Sequence, residues 1–334
     1  MRLSYVDVPL PDLGPGDVLV EVRACGICGS DVHGIDGSTG RRVPPLVMGH
    51  EASGVVARAG AGAGEWREGD RVTFDSTLYC GECAHCLEGR SNLCERRRVL
   101  GSAFGGHRKD GAFAEYVAVP ARVLTRLPDG VTFEQAALVE PLAVALHAVA
   151  RAGVGLADTV AVVGTGVIGL LVVQALRAAG VRRVIDIDLD PGRLELARTL
   201  GADDVLRVDA DDIAAAVRGC TDGRGADVAI EAVGTTAAIG TALATLRRGG
   251  RAVLVGNLAP TVEIPLQAVI TGELVLAGSC ASSGEYAAAL DLLASGRVDV
   301  GPLISAVVPL REGASWFARL YAAEPGLMKV ILRP

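Results

Sequence analysis

Four of the eight cysteines fall within the stretch YCGECAHCLEGRSNLCE, at positions 80, 83, 86 and 94. A disulfide scaffold, a redox pair and a metal site would each account for such a cluster. A redox Cys-x-x-Cys opens a helix in a thioredoxin-like unit, and nothing around this stretch resembles one. In a reducing compartment, clustered cysteines are more often metal ligands than disulfides. Cys80-x-x-Cys83-x-x-Cys86 followed by Cys94 offers four thiolates on one loop, a closed tetrahedral zinc site with no position left for substrate. Such a site explains folding and not catalysis.

A second set of donors is dispersed over CGICGSDVH (25–33), GHEASG (49–54) and VEPLAVALH (139–147). Singly, a His or Cys in these stretches is more often a core residue than a ligand. Together, Cys28, His50 and Glu51 supply a thiolate, an imidazole and a carboxylate, and Glu140 adds a second carboxylate. That set suits a catalytic zinc, where water or a substrate oxygen can enter. Cys25 also forms a Cys-x-x-Cys with Cys28 and reads as buried on the preceding strand.

The third constellation is VAVVGTGVIGL, which places Gly164, Gly166 and Gly169 between a strand and a helix. A bare G-x-G-x-x-G is weak evidence, but Asp188 follows at the end of the next expected strand, as a dinucleotide site requires. The glycines permit a tight turn, approach to a pyrophosphate and close helix–strand packing. A carboxylate at Asp188 would accept from the ribose hydroxyls and repel a 2′-phosphate, favouring NAD over NADP. Asp186 and Asp190 compete for that role, and strand alternation does not separate them from Asp188.

These groups need elements to hold them. Up to about residue 140, short strands such as DVLVEVRAC, ASGVVARAG, DRVTF and AEYVAVP alternate with Gly and Pro, predicting an irregular β-rich domain. Helical spacing then begins in FEQAALVEPLAVALHAVARAG. From Asp158, apolar strands (TVAVVG, RRVIDID, DDVLRV, ADVAIEAVG, GRAVLVGN, ELVLAGSC) alternate with helical segments such as TTAAIGTALATLRRGG. That alternation predicts a parallel six-stranded sheet covered on both faces.

Bulk properties set outer bounds. Half the residues are hydrophobic and only 4% aromatic, so the core must be mostly Ala, Val and Leu. A net charge of −7 argues against generic nucleic-acid binding. No apolar run is long enough to span a bilayer, and the turn-rich start does not read as a signal peptide. The expectation is a soluble cytoplasmic protein with neither nucleic-acid nor membrane partner.

The motifs, in this order along nearly the whole chain, resemble the zinc-dependent medium-chain dehydrogenase/reductase family. GHEASGVV, the four-cysteine loop, DGAFAEYVAVP and GTGVIG all fit. VEPLAVALHA resembles the polyol branch of sorbitol, sugar-alcohol and butanediol dehydrogenases. The resemblance implies an α/β protein with a GroES-like β-rich catalytic domain over 1–148 and 281–334. A Rossmann NAD-binding domain with a doubly wound parallel sheet would occupy 149–280. It implies two zincs per chain, one structural and one catalytic, with Cys28 and His50 as ligands and Glu51 a direct or near ligand. Glu140 would ligate the zinc or hold its water.

Ser30 and His33 match the family's proton relay. Val167, Ile168, Asp188 and Arg193 match residues around the adenosine and pyrophosphate. Val255, Gly256 and Asn257, with Gly278, Ser279 and Cys280, match loops lining the nicotinamide. The family usually opens with one more strand ahead of LSYVDVPLPDLGPGDVL. A homodimer or homotetramer is implied.

The expected reaction is hydride transfer between a secondary alcohol of a polyol, sugar alcohol or cyclitol and NAD. An anionic site rich in carboxylates favours a neutral, hydroxyl-rich substrate. The basic loop 101–113, with His107, Arg108 and Lys109, reads as solvated; facing the site, it would favour a phosphorylated or aminated sugar alcohol. A butanediol or simple secondary alcohol is the alternative substrate. The rival classes are a zinc-free quinone or enone reductase and a non-catalytic NAD-binding protein.

Overall fold

The computed structural model describes residues 3–37, 39–209 and 212–334, and the chain divides into two compact units. Unit one comprises Met1–Ala143, Ser282–Ser295 and Val300–Pro334; unit two comprises Val144–Ala281 and Gly296–Asp299. The first junction falls inside the helix Val139–Ala152, and so does the sequence boundary drawn at 148.

Unit one is built on a seven-stranded sheet whose hub is the strand Asp17–Gly26. Its run of Val, Leu and Ala is buried on both faces, which β-branched side chains on a pleated surface favour. It pairs antiparallel with Glu51–Ala59 along its length, and with Tyr116–Pro120 over its first half. Its last residues pair with Lys329–Arg333, through Cys25↔Leu332 and Gly26↔Ile331. Gly26 therefore faces Glu51 on one side and the C-terminal strand on the other. The sheet extends through Arg71–Phe74 to Leu124–Arg126, and Ile304–Pro309 joins Lys329–Arg333 in parallel. Val18, Val20, Val56, Val72, Phe74 and Val119 are fully buried in its core. Each contributes on the order of 1.5–3 kcal/mol of transfer free energy.

The helix predicted from Phe133 onward is broken into Phe133–Ala137 and Val139–Ala152. Pro141 is the physical reason: it has no N–H to give the carbonyl of Ala137, and its ring crowds that carbonyl. The break leaves Glu140 in the first turn of the second helix, where a carboxylate is favoured by the helix dipole.

Unit two contains the six-stranded parallel sheet that the alternation predicts. Its order is Asp204–Arg207, Arg183–Asp188, Thr159–Val163, Ala226–Glu231, Leu246–Leu254, Val275–Gly278, all neighbours parallel. In chain order this is 3-2-1-4-5-6, the doubly wound arrangement whose ligand crevice lies beyond the carboxyl ends of the strands. Ala161, Ile185, Ile187 and Ala229 form part of its core. The helix predicted over TTAAIGTALATLRRGG stops at Thr245 and the chain becomes extended from Leu246. Gly249 and Gly250 follow, the residues with the highest helix cost after proline. No helix among the described residues is long and apolar enough to cross a membrane.

Candidate functional site

The four-cysteine loop brings Cys80, Cys83, Cys86 and Cys94 within 4.8 Å of one another at their sulfurs. The Cys80–Cys86 and Cys83–Cys86 separations are 3.9 and 3.5 Å. Zn–S bonds of about 2.3 Å in a tetrahedron require sulfurs about 3.8 Å apart, so the donor set fits zinc as it stands. The N–H groups of Glu82 and Cys83 donate to Cys80 Sγ at 3.5 and 3.4 Å. Led by the Glu82 N–H, these bonds draw the Cys80 thiol down to about 6, toward the thiolate a metal takes.

A helix start and a strand start converge on the second donor set. Cys28 caps the helix Gly29–Gly34; His50 and Glu51 lead into the strand Glu51–Ala59. One donor atom from each of Cys28, His50 and Glu51 lies within 4.8 Å of the others. Two anionic donors and one neutral nitrogen from three residues match a zinc site with a position left open. His50 is buried, and its Nδ1 stands 3.5 Å from Asp31 Oδ2, an ion-pair approach without hydrogen-bond geometry. Burial alone would lower the His50 pKa, but Asp31 and Cys28 together hold it well above its usual value.

Glu51 does not stand free. Lys329 Nζ donates to Oε1 at 2.8 Å, to Oε2 at 2.6 Å and to the Ile27 carbonyl at 3.0 Å, with both side chains almost fully buried. Burial opposes the Lys329 charge, yet Glu51 and Cys28 raise its pKa, so it remains an ammonium. Gly26 is required here, because a β-carbon would stand 2.3 Å from Glu51 Oε2. Glu140 lies outside the group of three, with Ser76 Oγ 3.5 Å from its Oε1. Burial, opposed by His50 and reinforced by Glu51 and Asp75, pushes its pKa up to about 7.

Ser30 and His33 are exposed on the same short helix, three residues apart and hence on adjacent turns. Ser30 N–H and Oγ–H donate to Cys28 Sγ at 3.4 and 3.3 Å. Sequence reasoning missed Asp31, Lys329 and Tyr286. The Tyr286 hydroxyl is buried without a hydrogen-bond partner among the described residues, and burial followed by the Asp75 and Glu140 charges raises its pKa far above normal. The basic loop joins neither metal set; Arg108 instead donates to the Pro45 carbonyl at 2.8 Å.

In unit two the glycine loop has the geometry a dinucleotide needs. Gly164 is at φ +98°, and a β-carbon on Gly169 would lie 1.8 Å from the Gly164 carbonyl oxygen. A β-carbon on Gly166 would meet nothing within 4 Å, leaving room for a phosphate to approach the backbone. No side chain among the described residues caps the helix Val167–Ala178, so its first N–H groups, with Val167 and Ile168 in that turn, remain for an anion.

The three aspartates separate by depth. Asp186 is fully buried, accepts from Thr165 Oγ1 at 2.9 Å, and is pushed by burial up to about 7. Asp190 caps the helix Pro191–Thr199, accepting from Gly192 and Arg193 N–H. Asp188 sits at the carboxyl end of its strand, oriented by N–H donors from Thr165 at 2.7 Å and Asp190 at 2.8 Å. The remaining predicted cofactor residues also reach this carboxyl edge. Val255, Gly256 and Asn257 follow the strand Leu246–Leu254, and Gly278, Ser279 and Cys280 end or follow Val275–Gly278. Gly256 packs against Gly234, whose nitrogen a β-carbon would meet at 2.1 Å. Arg193 lies in the first turn after Asp190, with its Nε 3.9 Å from Asp190 Oδ2.

Comparison with known proteins agrees with both halves. Residues 14–129 match the alcohol dehydrogenase GroES-like domain and residues 167–295 the zinc-binding dehydrogenase family. The chain is 35% identical to sorbitol dehydrogenase of Bacillus subtilis (strain 168), covering 100% of this chain and 94% of that one. It is 37% identical to D-xylulose reductase A of Aspergillus oryzae, covering 97% and 92%. A solved structure from Sinorhizobium meliloti 1021, described as a zinc-binding dehydrogenase bound to NADP, superposes with a TM-score of 0.90. Its identity is 35%, with 100% of this chain and 96% of that one covered. The chain belongs to the zinc-dependent medium-chain dehydrogenase/reductase family, in its polyol dehydrogenase branch.

Proposed function

We propose that the protein oxidises a secondary alcohol of a polyol, sugar alcohol or cyclitol to the ketone, with NAD as hydride acceptor and zinc as Lewis acid. The observation that carries this reading is the grouping of Cys28 with His50 and Glu51, from two segments more than 20 residues apart in the sequence, within 4.8 Å. When bound, zinc acidifies an alcohol oxygen and nicotinamide accepts hydride from the alcohol carbon. Cys28, His50 and Glu51 hold the metal, with Glu140 as a further carboxylate beside it. Ser30 Oγ, 3.3 Å from Cys28 Sγ, takes the substrate proton and His33 on the same helix passes it to solvent.

Lys329 compensates one carboxylate, so the site carries a smaller net anionic charge than its ligand list implies. Cys80, Cys83, Cys86 and Cys94 hold the second, structural zinc. In unit two, Gly164, Gly166 and Gly169 with Val167 and Ile168 cradle the pyrophosphate, and Asp188 accepts from the adenosine ribose. Arg193 lies toward the adenosine phosphate. Val255–Asn257 and Gly278–Cys280 line the nicotinamide.

The relatives' names support the substrate class, since one acts on sorbitol and another reduces D-xylulose. NADP is the second coenzyme reading, favoured by the Sinorhizobium meliloti structure. Asp188, fixed at the strand end with its carboxylate turned by two N–H donors, supports NAD instead. The edge strand Val275–Gly278 and the neighbouring helix Leu266–Thr271 expose Val275, Leu266 and Ile270, supporting a homodimer or homotetramer through this edge. Clustered cysteines that serve as metal ligands rather than disulfides support a reducing, cytoplasmic location.

The test is absorbance at 340 nm with NAD⁺ or NADP⁺ and a panel of polyols, cyclitols, butanediol and simple secondary alcohols, run beside zinc analysis. Two zincs per chain with NAD-linked polyol oxidation sustain the reading. A protein with one zinc and no alcohol oxidation, but with enone reduction, overturns it.

A further inference from the structure

We propose that Arg42 is a positioning residue that ties the metal-ligand side and the proton-exit side of the Cys28 site into one hydrogen-bonded unit. Its guanidinium is buried, with a side chain 6% exposed against 0% for its partner Asp31. Nε and Nη2 donate to Asp31 Oδ1 at 3.0 and 2.7 Å, and Nη2 also donates to Ser30 Oγ at 3.2 Å. The other oxygen of Asp31 faces His50 Nδ1 at 3.5 Å and accepts from the Cys28 N–H at 3.4 Å. One side chain thus fixes the carboxylate behind a metal-ligating imidazole and the hydroxyl beside a metal-ligating thiolate.

The slot for Arg42 is built into the helix that carries these groups. A β-carbon on Gly34 would stand 2.5 Å from Arg42 Cγ and 3.5 Å from its Cβ, so the stem lies directly on the glycine. A planar fork suits this duty, because it holds two acceptors in fixed directions that a lysine ammonium would leave free. Removing it leaves Asp31 buried with its principal donor gone, and the imidazole then loses the fixed carboxylate that orients it. Outer partners of this kind change metal affinity or activity by about 10–100-fold.

The inference rests on the zinc reading above, and the experiment separates the two. Zinc-loaded wild type, Arg42→Met, Arg42→Lys and Gly34→Ala are challenged with a chromogenic chelator, and zinc release is followed in time. The four-cysteine loop serves as an internal reference in each protein. Arg42→Met is expected to release the Cys28-site zinc about 10–100-fold faster with the loop phase unchanged. Arg42→Lys should fall between the two, and the solvent deuterium isotope effect on turnover should change because Ser30 loses its donor. Should Arg42→Met fail to fold, Gly34→Ala displaces the stem while keeping the charge, and is expected to shift release in the same direction.

Wild-type release from the Cys28 site in folded Arg42→Met overturns the proposal. Equal acceleration of both phases also overturns it, since that marks general loosening. A wild-type protein that fills only the loop overturns the zinc reading itself, and this inference with it.

Discussion

The two donor sets solve the same problem in opposite ways. The loop takes all four sulfurs from Cys80–Cys94, holds them with neighbouring N–H groups, and needs little beyond its own turns. The Cys28 site takes its donors from a helix cap and the start of a strand, and leans on residues from the far end of the chain. Lys329 lies 278 positions from Glu51 and reaches it only because Gly26 is paired with both their strands. A local site is written in spacing; a dispersed one is written in register. The first should therefore govern stability and the second chemistry, and each can be broken alone.

The largest effect tests that division directly. Cys28→Ser is expected to remove one zinc of two and to cut turnover about 10³-fold or more. That corresponds to about 4 kcal/mol of lost charge stabilisation. Its melting temperature should stay close to wild type. Cys83→Ser should remove the other zinc and lower the melting temperature, because a structural zinc contributes directly to folding. Metal analysis and calorimetry on both variants check this, and a single pattern shared by the two would erase the distinction.

A smaller effect probes what register contributes. Lys329→Met strands Glu51 as a buried carboxylate, and breaking a buried pair from one side costs about 3–5 kcal/mol. Urea unfolding should show that loss, and the double variant Glu51→Gln/Lys329→Met should recover part of it. If Lys329→Met alone is neutral, the pair does not hold the dispersed site together.

The contrast also explains what could be read without coordinates. The loop, the glycine turn and the parallel sheet are legible because their signals lie within a few residues or repeat with a fixed period. Cys28, His50 and Glu51 are legible as residue types, but their supporting cast is not. Nothing in the spacing of Asp31, Arg42 or Lys329 announces a buried ion pair, since partner choice depends on which strands meet at Gly26. Asp186 and Asp188 share a strand face, so alternation could not choose between them; depth along the strand did. The helix break at Leu138 was present in the sequence as Pro141, hidden by an otherwise good helical pattern.

The smallest effect concerns Asp75, whose charge acts on Glu140 beside the dispersed site. Burial pushes its carboxyl up to about 7, although Thr77 N–H donates to it at 2.8 Å. Its pKa is raised on folding from an ordinary carboxylate value, so between about pH 4 and pH 7 the folded state binds more protons than the unfolded one. Stability must then fall as pH rises through that window, by at most about 1.4 kcal/mol per pH unit for one proton. Asp75→Asn keeps the oxygen that accepts from Thr77 and removes the titration. Its urea midpoint should change less between pH 5 and pH 7 than that of wild type, while the same comparison on the thiolate loop is governed by metal release at low pH. Identical pH slopes in wild type and Asp75→Asn would show that the carboxyl is already ionised in the fold. The dispersed site would then tolerate a buried charge beside its carboxylates without a proton to neutralise it.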